Sequence, residues 1–182
     1  MTAQKIDRVS VLCEDNLHKR FLMRWLEHRG IKLLDADVAP SAKGSGSAYV
    51  KNRFQLFVKK AKQKANQAGL GFIVVLDGDA AGLVAQKTVL EKQIAGDVTL
   101  QFTFENRIAA LIPTWSLDTW ILAICGAEIA ESTQITDEIK RSIDDAKIRQ
   151  AAAYFDAYRQ ATPAHLPAMI DAQLELNKLD LA

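Results

Sequence analysis

The feature that most constrains the fold is an alternation of short apolar segments with longer amphipathic segments, which runs from Arg8 to Cys125. Arg8–Cys13 and residues 72–76 are short and almost wholly apolar, as buried strands are. The segments between the strands repeat apolar side chains at helical spacing. Strands and helices that alternate in this way predict a mostly parallel sheet with helices on both faces. The predicted fold class is therefore α/β and Rossmann-like.

The C-terminal part of the chain has a different pattern, in which helical spacing replaces the alternation. Residues 98–104 still alternate apolar and polar side chains like a half-buried strand, and residues 107–113 form a further apolar strand. From Thr133 onwards the spacing is helical throughout. We therefore predict an α/β domain over residues 1–127 and a C-terminal helical extension over residues 128–182, packed on the same domain.

Composition favours a cytoplasmic protein and leaves its substrate open. The chain has 182 residues, 49% of them hydrophobic, and lacks the run of about twenty apolar residues that spans a membrane. The first residues lack a signal-peptide core, and Cys13 and Cys125 lie far apart in apolar segments, as reduced thiols do. The formal net charge is +1, yet residues 51–64 contain basic and no acidic side chains. Residues 128–145 lean acidic and would suit a partner-docking surface.

Carboxylates follow two of the predicted strands directly. Glu14 comes after the first strand, and Asp77 and Asp79 come after the third. The carboxyl ends of parallel strands lie at one edge of the sheet, where ligand sites form if the strand order reverses. Two carboxylates about 4 Å apart repel by roughly 4 kcal/mol at an effective dielectric constant near ~20. If the two strands are neighbours, either the pKa values rise or a cation such as Mg²⁺ or Mn²⁺ joins the acids.

The same acids also have a purely structural interpretation. An acid after a strand often caps the next helix, so Asp15 or Asn16 would cap the first helix and Asp79 the third. Glu14 is harder to explain as a cap, because its two neighbours are better placed and leave it free. From spacing alone, the metal-binding and capping interpretations are equally favoured.

The arrangement of Glu14 after strand one and an Asp-x-Asp pair after strand three resembles the Toprim domain. That domain is shared by topoisomerases, bacterial primases, RecR-type repair proteins, the ribonuclease that matures 5S RNA, and OLD-family nucleases. The resemblance covers Arg8 to Cys125 and implies that Glu14, Asp77 and Asp79 hold Mg²⁺, with the glutamate also a general acid or base. Asp15 stands where the family usually has glycine.

A later stretch is similar to small bacterial Toprim proteins of the RloB-like and OLD-related kind. In those proteins an apolar strand ends in a proline turn, and an acid precedes a Trp on the next helix. Pro113, Asp118 and Trp120 hold these places, with the acid shorter and displaced by one residue. The resemblance makes Asp118 a fourth metal-binding carboxylate. A first-turn acid that interacts with the helix dipole is the alternative, and the sequence leaves both open.

A Gly/Ser-rich segment before the second helix is the predicted substrate contact. Gly44 and Gly46 let backbone N–H groups approach a phosphate at a helix N-terminus, and Lys43, Lys51 and Arg53 add positive charge. By spacing alone, an ordinary mobile loop is the favoured interpretation. Beside a metal site, the same segment becomes a contact for the substrate backbone.

His18 lies near Glu14 at the start of the first helix. A histidine in that place could shuttle protons at the site. An exposed structural histidine is the favoured interpretation, so His18 is not included among the predicted site residues.

The predicted function is Mg²⁺- or Mn²⁺-dependent cleavage of phosphodiester bonds in nucleic acid, either DNA or RNA. Glu14, Asp77 and Asp79 are the predicted metal ligands and catalytic carboxylates, and Lys43 or Lys51 would stabilise the developing charge. The alternatives are hydrolysis of nucleotides or other small phosphate esters, and a Toprim module that binds a partner without catalysis. By family analogy alone, the protein would serve an anti-phage defence or mobile-element system, with an ATPase or other defence protein as partner, as a monomer or a homo-oligomer.

Overall fold

The computed structural model describes residues 5–41, 45–64, 66–96, 107–161 and 166–181. Four strands and seven α-helices lie within these residues. The strands are β1 (Arg8–Cys13), β2 (Lys32–Val38), β3 (Leu70–Val75) and β4 (Ile108–Leu111). The helices are α1 (Asn16–His28), α2 (Gly46–Gln63), α3 (Gly82–Ala95), α4 (Leu117–Ile124), α5 (Asp137–Arg141), α6 (Asp145–Gln160) and α7 (Pro167–Asn177).

The described strands form one parallel sheet in the order β2-β1-β3-β4. β1 pairs with β2 on one side and with β3 on the other, so that Val11 lies between Ala36 and Ile73. The chain passes from β1 to β2 and then crosses to β3, which reverses the strand order between β1 and β3. The prediction of an α/β, Rossmann-like fold is confirmed, and the strands that precede Glu14 and Asp77 are neighbours.

The apolar patterns of the strands and helices follow from this layered arrangement. β3 is buried at every position because helices cover both faces of the sheet. α1 ends at His28, and Gly30 adopts a φ of 70°, the left-handed conformation in which a glycine often follows a helix. α2 ends at Gln63, and Gly69 precedes β3 with a φ of 75°.

Two apolar layers form the core, one on each face of the sheet. α2 and α3 cover one face, and α1, α4, α6 and α7 cover the other. On the second face, Phe155 of α6 meets Phe21 and Trp25 edge-on, with ring centroids 5.3 and 5.5 Å apart. It also stacks on Trp120 at 6.0 Å. Helices of the C-terminal region therefore share a core with α1 and α4, while the boundary at residue 127 stays a prediction.

Some sequence predictions concern residues that are not described. The strand predicted over residues 98–104 lies outside the described residues. None of the described helices combines the length and the apolar character that crossing a bilayer requires.

Candidate functional site

Glu14 and Asp77 meet at the carboxyl ends of β1 and β3. Glu14 follows β1 immediately, and its Oε1 accepts a hydrogen bond of 2.9 Å from the backbone N–H of Asp77, just beyond β3. The contact crosses the point where the strand order reverses. Two of the carboxylates that the sequence predicts as ligands are therefore brought together.

The loop between Asp77 and Asp79 is fixed against the turn that follows β4. The Gly78 N–H donates to the Pro113 carbonyl at 3.0 Å, and the Asp79 N–H donates to the Trp115 carbonyl at 2.9 Å. A Cβ at Gly78 would overlap carbonyl oxygens of that turn, Pro113 O at 2.5 Å among them. Asp79 itself has a φ of 51°, which aspartate tolerates better than most residues. Only glycine fits between the two aspartates in this conformation.

The Asp77 carboxylate also contacts the start of α4. Its Oδ1 accepts the backbone N–H of Leu117, the first residue of α4, at 2.9 Å. Ser116 occupies the N-cap position of α4, but its side chain makes no capping bond. Asp118 follows in the first turn of α4 and is 7% exposed. The prediction that Asp118 lies near the other carboxylates therefore has a structural basis, because its neighbour in the chain binds Asp77.

His18 joins this group, and the prediction that it is exposed is wrong. Its side chain is 1% exposed, with Nδ1 2.8 Å from Asp15 Oδ1 and Nε2 3.0 Å from Asp77 Oδ1. The sequence carries a signal for this burial. His18 precedes Phe21 by three residues and Trp25 by seven, which places it on the apolar face of α1.

The charges of these groups are strongly coupled. Burial and the nearby charge of Asp77 raise the pKa of Glu14 to about 7. Burial and Asp77 likewise raise the pKa values of Asp79 and Asp118. Burial opposes protonation of His18, yet the adjacent carboxylates outweigh it and hold its pKa well above the ordinary value. The edge of the sheet thus carries more negative charge than His18 alone neutralises.

The capping interpretation applies to one acid only. Asp15 is the N-cap of α1 and accepts the His18 N–H at 2.9 Å, as predicted. Asp79 instead lies in a 3₁₀ turn, and α3 begins after Ala81 without a side-chain cap. Helix capping therefore does not explain Asp79, and Asp15 leaves Glu14 free of that role.

The start of α2 lies against Glu14. A Cβ at Gly46 would come within 2.7 Å of the Glu14 carbonyl oxygen and 2.9 Å of its Cβ. The predicted contacts Lys43 and Gly44 lie outside the described residues. An open cavity of about 220 Å³ adjoins this contact and is lined by Glu14, Asp15, Asn16, Ala39, Pro40, Ser41 and Gly46.

The predicted basic contacts differ from one another. Arg53 forms an ion pair of 3.1 Å with Asp37 of β2, so its charge is already paired. Lys51 lies close enough to offset part of the rise that burial and Asp77 cause in the pKa of Asp79. Lys140 of α5 acts in the same way, and no local sequence pattern identifies it. Of the two described basic residues predicted to contact substrate, Lys51 is thus the one near the carboxylates.

The carboxylate oxygens at this edge are ligands of the kind that binds a hard divalent cation. Mg²⁺ and Mn²⁺ prefer carboxylate oxygens. One oxygen each of Glu14 and Asp77 accepts the hydrogen bonds above, while the second oxygens and the Asp79 carboxylate accept none from a described residue. Among the described residues, no three side chains of His, Cys, Asp or Glu already stand in positions to hold a metal ion. The carboxylates would have to move closer together around one.

Comparisons with protein-family models, with curated proteins and with solved structures find no match to this chain. The resemblance to the Toprim domain therefore rests only on the sequence motifs: Glu14, Asp77 and Asp79 in their order along the chain, and the later stretch with Pro113, Asp118 and Trp120. The fold and the distances given above do not depend on any relative.

Proposed function

We propose that this protein is a divalent-metal-dependent nuclease that cleaves phosphodiester bonds in nucleic acid. The observation that carries the proposal is the meeting of Glu14 and Asp77 where the strand order reverses. Burial and Asp77 raise the pKa of Glu14 to about 7, so the site has negative charge that its own residues leave unbalanced. Strongly perturbed carboxylates in such a place are typical of sites that take a cation and perform phosphoryl chemistry.

Glu14, Asp77 and Asp79 would hold Mg²⁺ or Mn²⁺, which supplies Lewis-acid activation of a phosphate and of water. Asp118 is a further ligand candidate because it lies in the first turn of the helix whose first N–H binds Asp77. Glu14 titrates near neutral pH, which suits a general acid or base. Lys51 lies near Asp79 and would stabilise charge on a bound phosphate.

The placement of α2 supports a substrate with a phosphate group. Its first residue, Gly46, lies against the backbone carbonyl and the Cβ of Glu14, so the N-terminus of α2 adjoins this residue. Helix N-termini and adjacent lysines favour anions. The substrate would enter beside Glu14, at the cavity described above.

A smaller substrate is the second candidate, and one observation favours it. Two cations of α2 are paired with acids of β2, Arg53 with Asp37 and Lys60 with Asp35. The basic stretch over residues 51–64 therefore presents less free charge to a nucleic-acid backbone than its sequence suggests. A nucleotide or another small phosphate ester needs no such extended surface.

We further propose a cytoplasmic protein that takes part in an anti-phage defence or mobile-element system, by analogy with the family that the motifs resemble. An ATPase or other defence protein as partner and a homo-oligomeric state belong to the same proposal. A non-catalytic role at this site would require neither a metal nor the three acids.

The test is a cleavage assay on labelled DNA, labelled RNA and a panel of nucleotides, with Mg²⁺, with Mn²⁺ and with a chelator. We expect cleavage only with metal, and a loss of at least ~100-fold in Glu14→Gln and in Asp77→Asn. Glu91→Gln is the matched control, because Glu91 is an exposed acid of α3 remote from the site in the fold.

The pattern of substrates distinguishes the candidates. Cleavage of nucleotides without cleavage of DNA or RNA would favour the phosphate esterase. Cleavage that persists in Glu14→Gln or Asp77→Asn would contradict the assignment of the site. A protein that binds no metal and cleaves nothing, yet becomes more stable in Asp77→Asn, would be a binding module.

A further inference from the structure

His18 is a buried side chain at this edge that the proposed chemistry does not use. Both of its ring nitrogens face carboxylate oxygens, Nδ1 at 2.8 Å from Asp15 and Nε2 at 3.0 Å from Asp77. Asp15 is anchored in turn, because it caps α1 by accepting the His18 backbone N–H. The ring is thus fixed at both ends, and turning it would leave a buried donor without a partner.

The consequence for Asp77 is that one of its oxygens is fully engaged. Oδ1 accepts from His18 Nε2 and, at 2.9 Å, from the Leu117 N–H of α4. The other oxygen accepts no hydrogen bond from a described residue. Because a carboxylate is planar, two donors on one oxygen also fix the direction of the second oxygen.

We propose that His18 is a positioning residue, which fixes Asp77 so that this carboxylate offers a single oxygen to a divalent cation. The inference rests on the proposed metal site and adds a selectivity to it. Mg²⁺ and Mn²⁺ take compact octahedral spheres with one oxygen per carboxylate, whereas Ca²⁺ readily takes both oxygens of one carboxylate. A clamped Asp77 therefore favours the smaller cations.

Two substitutions at position 18 separate positioning from simple burial. In His18→Gln the amide nitrogen takes a place similar to Nε2 and can still donate to Asp77. In His18→Asn the shorter amide can reach Asp15 but not Asp77. Both variants replace the buried ring by an amide, and only His18→Gln keeps the bond to Asp77.

The experiment is a titration of the purified protein with Mn²⁺ and with Ca²⁺, followed by calorimetry and by the spectrum of bound Mn²⁺. We expect His18→Asn to weaken Mn²⁺ binding by about 10-fold or more, the usual effect of removing a residue that orients a ligand. Binding to His18→Gln should stay within about threefold of the natural protein, and Ca²⁺ binding should change less in both. His28→Asn, an exposed histidine of the same helix, is the control.

Equal Mn²⁺ affinity in His18→Asn and His18→Gln would overturn the positioning role, as would tighter binding in His18→Asn. Absence of Mn²⁺ binding by the unsubstituted protein would be a different result, because it would overturn the proposed function itself. If His18→Asn does not fold, Asp15→Ser tests the same inference, since serine can still cap the helix but its shorter side chain does not reach Nδ1 of the ring. Unchanged Mn²⁺ affinity in that variant would then overturn it.

Discussion

Glu14 and Glu175 are both glutamates withdrawn from solvent beside the same sheet, and their surroundings shift their pKa values in opposite directions. Glu175, on α7, is 2% exposed and accepts hydrogen bonds from Lys178 at 2.7 Å, from Lys87 at 2.9 Å and from the Ala110 N–H of β4 at 3.2 Å. Burial disfavours its ionised form, but these donors outweigh burial and lower its pKa. Glu14 has one backbone donor and the charge of Asp77 nearby, so burial and that charge raise its pKa to about 7.

The difference separates a structural carboxylate from a candidate functional one. Glu175 joins α7 and α3 to the edge of the sheet, and its charge is balanced within the fold. Glu14 faces a site where the described residues leave charge to be balanced by something else. Burial alone does not distinguish the two residues, whereas the identity of their neighbours does.

The largest expected effect is that of removing Glu175, the carboxylate whose charge is balanced within the fold. Glu175→Ala leaves the Ala110 N–H and part of the charge of Lys87 without a partner, so the free energy of unfolding should fall by about 3 kcal/mol. Urea-induced unfolding at pH 8 measures this, with Glu91→Ala on exposed α3 as a control within ~0.5 kcal/mol. A loss below about 1 kcal/mol would mean that the Glu175 network is not structural.

The next effect concerns the loop that carries the unbalanced acids. A Cβ at Gly78 would overlap the carbonyls of Pro113 and Thr114, so Gly78→Ala must displace Asp77 or Asp79. We expect kcat/KM for the proposed phosphodiester cleavage to fall about 100-fold, equivalent to roughly 2.7 kcal/mol. Gly96→Ala is the matched control, because nothing lies within 4 Å of its Cβ and its φ of −76° suits alanine. Equal activity in the two variants would show that the loop geometry does not matter.

A smaller effect of opposite sign is expected for Glu14. The pKa of Glu14 rises from 4.5 to about 7 on folding, so folding becomes less favourable as pH rises between these values. Glu14→Gln keeps an acceptor for the Asp77 N–H and removes this cost. Without divalent cations it should stabilise the protein at pH 8 by about 2 kcal/mol, with allowance for partial exposure. Below pH 4.5 the gain should vanish, because the glutamate is then protonated in both states.

Urea unfolding of both proteins across that pH range measures the Glu14 effect. A destabilising Glu14→Gln at pH 8 would place Glu14 in the same class as Glu175 and remove the contrast between them.

The strands and helices around the sheet can largely be predicted from the sequence, because each shows as a local pattern of apolar side chains. β1 is predicted at Arg8–Cys13 and observed there. β3 begins two residues earlier than predicted, since Leu70 and Gly71 are buried but follow a glycine turn. The sequence does not show whether β1 and β3 are neighbours. The structure shows that they pair directly.

The site is predicted only in part, because its remaining contacts are tertiary. Spacing places His18 on the apolar face of α1, but its bond to Asp77 depends on how α1 sits over β3. Lys140 reaches the site from a helix far along the chain, and no local pattern reports that approach. Glu175 is a further example, since no local pattern shows that Lys87 and the Ala110 N–H reach its buried carboxylate.

The most direct test of the central claim is a crystal of the protein soaked in Mn²⁺ and measured at a wavelength where manganese scatters anomalously. The account predicts an anomalous peak in direct contact with the carboxylates of Glu14 and Asp77, and no peak at the same place in Asp77→Asn. It also predicts no peak at Glu175, whose charge is already balanced. An empty edge at saturating Mn²⁺, or a peak that persists without the Asp77 carboxylate, would contradict it.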